Sequence, residues 1–330
     1  MRLLIGVPNV WWGGLQSWAT YLADWLPEDW DVGFAFWRGK PEAIEDLTQH
    51  GTPLRIWGAQ LCGWQVNQNA LNESAAAVVE AWEPDVVQAN CPTLARAAKQ
   101  HGVPCVTTGH SLRGCHANGA ALADRAVRVS PAVPGNEPII VNGITPVAFD
   151  GDHVENEVAV ATRLDRDRFP HLVFDAMRLV ADRRPEVRFR VIGCNHDGWF
   201  DEEKELAARS LEDNVEMLGL VPHDEAVCEI ARADVVCQPW PESFGQAVCE
   251  GMSAGCIPVA SSKAFGPDLV GDAGFCAPVE PDAVADAIVQ ALDCEDKAAR
   301  RQAAIERVEM CFHGRRFAND YREVYEELAS

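Results

Sequence analysis

The sequence predicts an α/β protein made of two doubly wound, Rossmann-like domains. Three observations carry that expectation. Short apolar runs of β type alternate with segments whose apolar residues recur at helical spacing, the pattern of a parallel sheet covered on both faces. The alternation runs through the chain twice, once on each side of the stretch Thr145–Glu155. The 330 residues, 48% hydrophobic and 24% charged, are enough for two separate cores.

In the first half, RLLIGVPN reads as a strand and LQSWATYLADWL as a helix, followed by strands at DVGFAFW and PLRIW. ALNESAAAVVEAW has helical spacing, PDVVQAN is a strand, TLARAAKQHG a helix and PCVTTGH a strand, with ADRAVRVS and PIIVNG as short closing segments. The second half opens on the strand NEVAVAT, then the helix HLVFDAMRLVADR, the strand VRFRVIG and the helix EEKELAARSL. The strand VEMLGLV, helix EAVCEIARA, strand VVCQPW, helix QAVCEGMSAG and strand IPVASS follow, before helices near 281–293 and 296–309. Ligands of such sheets bind beyond the carboxyl ends of the strands, so the chemistry is expected where two such edges face each other.

Charge and composition narrow the function. The net charge is −22, and it is uneven: residues 1–150 hold 14 acidic and 9 basic side chains, residues 151–330 hold 36 and 19. An electrostatic grip on nucleic acid is therefore opposed in the second half and unsupported in the first. No apolar run approaches the ~20 residues of a membrane span, and the opening MRLLIGVPNV is expected to be a strand rather than a signal peptide. The 12 cysteines are scattered through apolar runs without a Cys-x-x-Cys pair, as buried thiols of a cytoplasmic protein would be. Nine of the 11 tryptophans precede residue 83, and either core filling or stacking on a ligand accounts for them.

The segment PESFGQAVCEGMSAGCIPVASS is the most informative. A strand ends in Pro-Trp-Pro, a loop carries Glu242, Phe244 and Gly245, and a helix begins near Gln246 and carries Glu250. The helix start offers unpaired N–H groups to a phosphate or to sugar hydroxyls. Were the whole stretch helical, the two carboxylates would lie about 12 Å apart along the axis. The acid pair of a retaining glycosidase is closer, about 5–5.5 Å. Two contacts to different parts of one extended ligand fit that spacing. A solvated loop residue and a helix-surface charge fit it as well.

This segment resembles the donor signature of the family 4 glycosyltransferases, which retain anomeric configuration and have the GT-B fold. Further blocks stand in the family's order: Trp12-Gly13-Gly14 after the first strand, VTTGHSL, DRAVRVS, IIVNGIT, ATRLDRDRFPHLVFDA, VRFRVIG, NVEMLGLVP and the terminal FANDYREVYEEL. The resemblance implies an acceptor domain of residues 1–148 plus a C-terminal helix 315–330, and a donor domain of residues 149–314. It also implies that Arg163 and Arg168, where the family has Lys, neutralise the donor diphosphate. Glu250 corresponds to the carboxylate on the ribose and Glu242 to that beside the transferred sugar, with Phe244 and Gly245 giving backbone N–H groups. Gly13 and Gly14 let backbone approach phosphate, although a glycine pair after a strand is also an ordinary tight turn. His110, at the end of its strand, takes the place of the family's donor-contacting histidine, so His110 and Glu242 are the expected catalytic pair. His116 has no such counterpart, and Asp165 and Asp167 read as loop charge rather than a metal pair.

The expected reaction transfers a sugar from a nucleotide-diphosphate sugar, expected to be a UDP-sugar, to an acceptor hydroxyl, with no metal and no bound cofactor. The acceptor stays open among glycan, protein, lipid-linked sugar and a hydroxymethylated DNA base. Other open readings are a GT-B epimerase and a non-catalytic nucleotide-sugar-binding protein. Only eight residues separate Ser130 from Ile139, where the family often has a longer segment. Trp11 and Trp12, just before the glycine pair, are the expected aromatic contacts for an acceptor.

Overall fold

The structure, a computed structural model, describes residues 1–11, 13–56, 67–112, 114, 119–164, 170–193 and 201–330. It divides into two compact units, Met1–Thr145 with His313–Ser330, and Pro146–Phe312.

The first unit runs β1 (Arg2–Gly6), β2 (Asn9–Val10), α1 (Gly14–Asp24), β3 (Asp31–Phe36), β4 (Arg38–Gly39), α2 (Pro41–Leu47) and β5 (Thr52–Arg55). It continues with α3 (Gln68–Trp82), β6 (Val86–Gln88), α4 (Pro92–His101), β7 (Cys105–Gly109) and β8 (Arg125–Arg128). Among the described residues, six of these strands form a sheet of order β5-β3-β1-β6-β7-β8, parallel throughout. In chain order that is 3-2-1-4-5-6, the doubly wound arrangement, with its switch point between β1 and β6. Alternate residues of β1 enter opposite cores: Leu3 and Ile5 pack with Trp18 and Phe34, while Leu4 packs with Leu71, Val79 and Leu94.

The second unit begins with β9 (Val154–Ala161), α5 (Pro170–Arg183), β10 (Arg188–Ile192), α6 (Glu202–Arg209), β11 (Val215–Gly219) and α7 (His223–Ala231). After β12 (Ala233–Gln238) come α8 (Gln246–Ser253), β13 (Ile257–Ser261), α9 (Gly266–Val270), β14 (Phe275–Ala277), α10 (Pro281–Asp293) and α11 (Lys297–Arg307). Its sheet has the order β11-β10-β9-β12-β13-β14, again parallel and again 3-2-1-4-5-6. Val158, Val160, Phe174, Phe189 and Val235 belong to its core. Asp234 at the start of β12 is fully buried and paired with Lys297 Nζ and Arg301 Nη2, each at 2.7 Å, which ties α11 to the sheet.

A π-helical turn at Val308–Phe312 leads into α12 (Gly314–Ala329), which returns to the first unit. Phe317, Tyr321 and Tyr325 recur every fourth residue and form a buried stripe in the core with Trp18. The sequence pattern had not predicted α2, α9, β14 or the short pair β2–β4. PIIVNG, expected as a further short segment, contributes one isolated bridge, Arg128 to Ile139. No helix among the described residues is long and apolar enough to cross a membrane.

Candidate functional site

In the second unit, Arg163 and the Glu242–Glu250 segment leave the carboxyl ends of β9 and β12, strands that pair at the switch point of the sheet. Arg163 is exposed, two residues beyond β9. Arg168, Asp165 and Asp167 lie outside the described residues, so the expected cationic pair is placed at one member.

The loop after β12 is held by aromatic packing. Phe244 is 3% exposed, stacks on Phe265 at 5.7 Å and meets Phe312 edge-on at 5.7 Å. Phe265 also donates its backbone N–H to the Glu242 carbonyl at 3.2 Å. Gly245 precedes α8 with φ +94°, a conformation that favours glycine, and a Cβ there would also press on Leu269 Cδ2 at 2.9 Å. Glu242 is half-buried and borders a small pocket together with Gln238, Trp240, Phe244, Gly245 and Ser261. Trp240 Nε1 and Gln246 Nε2 are buried, and each lacks a hydrogen-bond partner within the described protein.

Glu250 is the main surprise of this segment. Its place in α8 is not a solvated helix surface: the residue is 4% exposed, and His223 Nε2 lies 3.7 Å from its carboxylate. His223 opens α7 after the end of β11, and sequence reasoning missed it. The available signal was the Pro-His that follows VEMLGLV at the end of a predicted strand.

In the first unit, the other expected residues occupy the carboxyl edge of the sheet. Gly13 caps α1 in an extended conformation with φ −121°, and Gly14 is the first helical residue. A Cβ at Gly13 would meet nothing within 4 Å, so packing does not demand glycine there. His110 follows β7 and is half-buried, its ring edge-on to Trp18 at 4.7 Å. Burial pushes the His110 imidazole down to about 3, so it is neutral at physiological pH. Trp11 is 38% exposed, whereas Trp18, Trp25, Trp30, Trp37 and Trp82 pack in or against the cores. Trp12 and His116 lie outside the described residues. Among the described residues, no cluster of three or more His, Cys, Asp or Glu is arranged to hold a metal ion.

Residues 149–308 match the family model described as glycosyl transferases group 1. No curated protein sequence matches the chain. Among solved structures, HepE of Anabaena in complex with UDP and glucose is similar with a TM-score of 0.81 and 20% identity, over 99% of each chain. HepE with UDP-glucose gives a TM-score of 0.82 at 18% identity, over 99% of this chain and 100% of that one. Sucrose-phosphate synthase of Thermosynechococcus elongatus gives 0.78 at 18% identity, over 99% and 98%. The chain thus has the GT-B fold of two Rossmann-like units, and most of its second unit carries the pattern of the group 1 glycosyl transferases.

Proposed function

We propose that the chain is a retaining glycosyltransferase that moves a hexose from a nucleotide-diphosphate sugar, with UDP as the nucleotide, to an acceptor hydroxyl. The observation that carries this reading is the convergence, at the switch point of the second sheet, of an exposed arginine with a loop and helix bearing one half-buried and one fully buried carboxylate. Complexes of the similar HepE with UDP and with UDP-glucose support the choice of donor.

In this reading Glu250 accepts hydrogen bonds from the ribose hydroxyls and Glu242 from the hydroxyls of the transferred sugar. The N–H groups of Phe244 and Gly245, together with Arg163 and Arg168, offset the charge that grows on the departing diphosphate. The bond between the anomeric carbon and the phosphate oxygen breaks while the acceptor oxygen bonds to the same face of that carbon. The acceptor's proton passes to the leaving phosphate oxygen. No dedicated base is needed, so the residues act by positioning and charge stabilisation. Neither a metal nor a resident cofactor is assigned a role. His110 is assigned a substrate contact, and selection of the acceptor is assigned to the first unit. Cys91, Cys105, Cys237, Cys249 and Cys256 are buried thiols, which suits a reducing cytoplasm.

A panel of nucleotide sugars and acceptor classes, read by product mass spectrometry, tests the proposal. The expected result is a hexose mass gain on one acceptor class with stoichiometric release of nucleoside diphosphate. Donor binding without nucleotide release on any acceptor would replace it with a nucleotide-sugar-binding protein.

A further inference from the structure

A buried polar chain runs along the carboxyl edge of the first sheet, and apart from His110 at its end the proposed mechanism makes no use of it. It begins at Asn90, just beyond β6, which is 4% exposed and has a left-handed backbone with φ +49°. Asparagine is one of the few residues that tolerate this conformation, because its short amide can bond locally. Here the amide Nδ2 donates to the Gly6 carbonyl at 3.2 Å. The end of β1 comes this close because Gly6 has no Cβ: one built there would lie 2.0 Å from the Ala89 carbonyl oxygen.

That contact orients the whole chain. A carbonyl can only accept, so it fixes which end of the Asn90 amide is NH2, and Oδ1 must face the other way. Gln88 Nε2 donates to Oδ1 at 2.8 Å, and Gln88 is fully buried. Its Oε1 is left to accept from the Tyr325 hydroxyl at 2.9 Å, and its second N–H goes to Thr108 Oγ1 at 3.0 Å. Thr108 in turn meets the Tyr321 hydroxyl at 2.9 Å. The remaining neighbour of Asn90 Oδ1 is His110 Nε2, at 3.3 Å. An amide oxygen cannot donate, so the imidazole nitrogen facing it must carry the hydrogen. The ring is braced as well, since Trp18 meets it edge-on and is itself packed by Phe317 at 6.0 Å and Tyr321 at 5.5 Å.

We infer that Asn90 is a positioning residue, which holds the His110 ring in place and fixes its proton on Nε2. The consequence for the reaction rests on the reading that His110 contacts substrate. A neutral imidazole held in one tautomer can bond to a sugar hydroxyl but cannot neutralise a phosphate. The low pKa of His110 agrees with that, and burial is its whole cause.

The test is long-range proton–nitrogen NMR of the full-length protein labelled with [15N]histidine, with His110 assigned from His110→Gln. At pH 7 the wild-type ring is expected to be neutral with its proton on Nε2. In Asn90→Ala that preference should be lost, and kcat should fall by about tenfold or more while the donor KM stays within about twofold. Asn90→Asp should place a carboxylate against Nε2, raise the imidazole pKa and move the acid limb of the kcat profile to higher pH. A wild-type ring that is cationic, or protonated on Nδ1, overturns the inference, and so does an unchanged tautomer in Asn90→Ala. A changed tautomer with unchanged turnover upholds the role of Asn90 and overturns the substrate contact of His110.

Discussion

Glu250 and Glu242 differ in burial, and that difference sets their expected roles apart. A carboxylate as enclosed as Glu250 is costly unless it is hydrogen-bonded, and ribose hydroxyls are the donors assigned to it. Glu250→Gln should therefore weaken UDP binding by about tenfold, the size of one hydrogen bond to a charged group. Glu242→Gln should leave UDP affinity within about twofold and lower turnover by at least about tenfold, because its assigned contact is to the sugar that UDP lacks. Calorimetric titration with UDP beside initial rates separates the two, and matching binding profiles would show that the roles are misassigned. His110 yields a prediction about acid stability. An unfolded histidine titrates near ~6.5, and the folded one near about 3. Between those values the unfolded chain binds a proton that the folded chain does not. The contribution is therefore complete above about pH 6.5 and is lost as pH falls toward 3. Urea melts should show His110→Gln losing less stability than wild type between about pH 7 and about pH 4.5. Parallel losses would mean that the folded protein accepts the proton at little cost.

Among the elements, the Glu242–Gly245 loop is positioned by its aromatic anchor. Phe244 packs between Phe265 and Phe312, so Phe244→Ala should cost about 3–5 kcal/mol of stability. It should also lower turnover, while Phe244→Leu recovers part of both. A full loss of stability with normal turnover in the surviving folded fraction would show that the anchor does not set the loop. Most elements legible in the sequence were long enough to show a period, and the three-residue β6 was legible from the apolar run around it. NEVAVAT and HLVFDAMRLVADR announce themselves, whereas α2 has seven residues and β14 three. At the candidate site, Glu242, Phe244, Gly245 and Glu250 could be read together because they are contiguous. The burial of Glu250 could not, because it depends on α8 being enclosed on most sides: Val248, Cys249, Met252 and Ser253 are buried with it. Asn90 and His110 lie 20 residues apart, and His223 and Glu250 lie further apart still in the chain. Strand order brings such pairs together, and no local spacing announces them. Tryptophan content was a poor guide for the same reason, since composition does not distinguish the enclosed Trp18 from the exposed Trp11.

For the whole molecule, the leading physical fact is a net charge of −22, concentrated where the donor is proposed to bind. A nucleotide-diphosphate sugar is itself a dianion, so the far field repels it, while Arg163 and Arg168 are proposed to attract it at contact. The two act over different ranges. Salt screens first what acts beyond the Debye length, about 30 Å at 0.01 M and about 8 Å at 0.15 M. Raising ionic strength across that interval should remove much of the repulsion while leaving the contact with the arginines largely intact. The association rate of UDP-glucose should therefore rise with salt, the reverse of the usual behaviour of a phosphate-binding protein. Uncharged uridine should show no such trend. Arg163→Ala should slow association at every salt concentration and steepen the rise, because it removes attraction and leaves the repulsion. Stopped-flow measurements over the series are decisive. A rate that falls steadily with salt would mean that the cationic loop after β9 governs the potential at the donor's approach, and that the acidic surface plays no part in recognition.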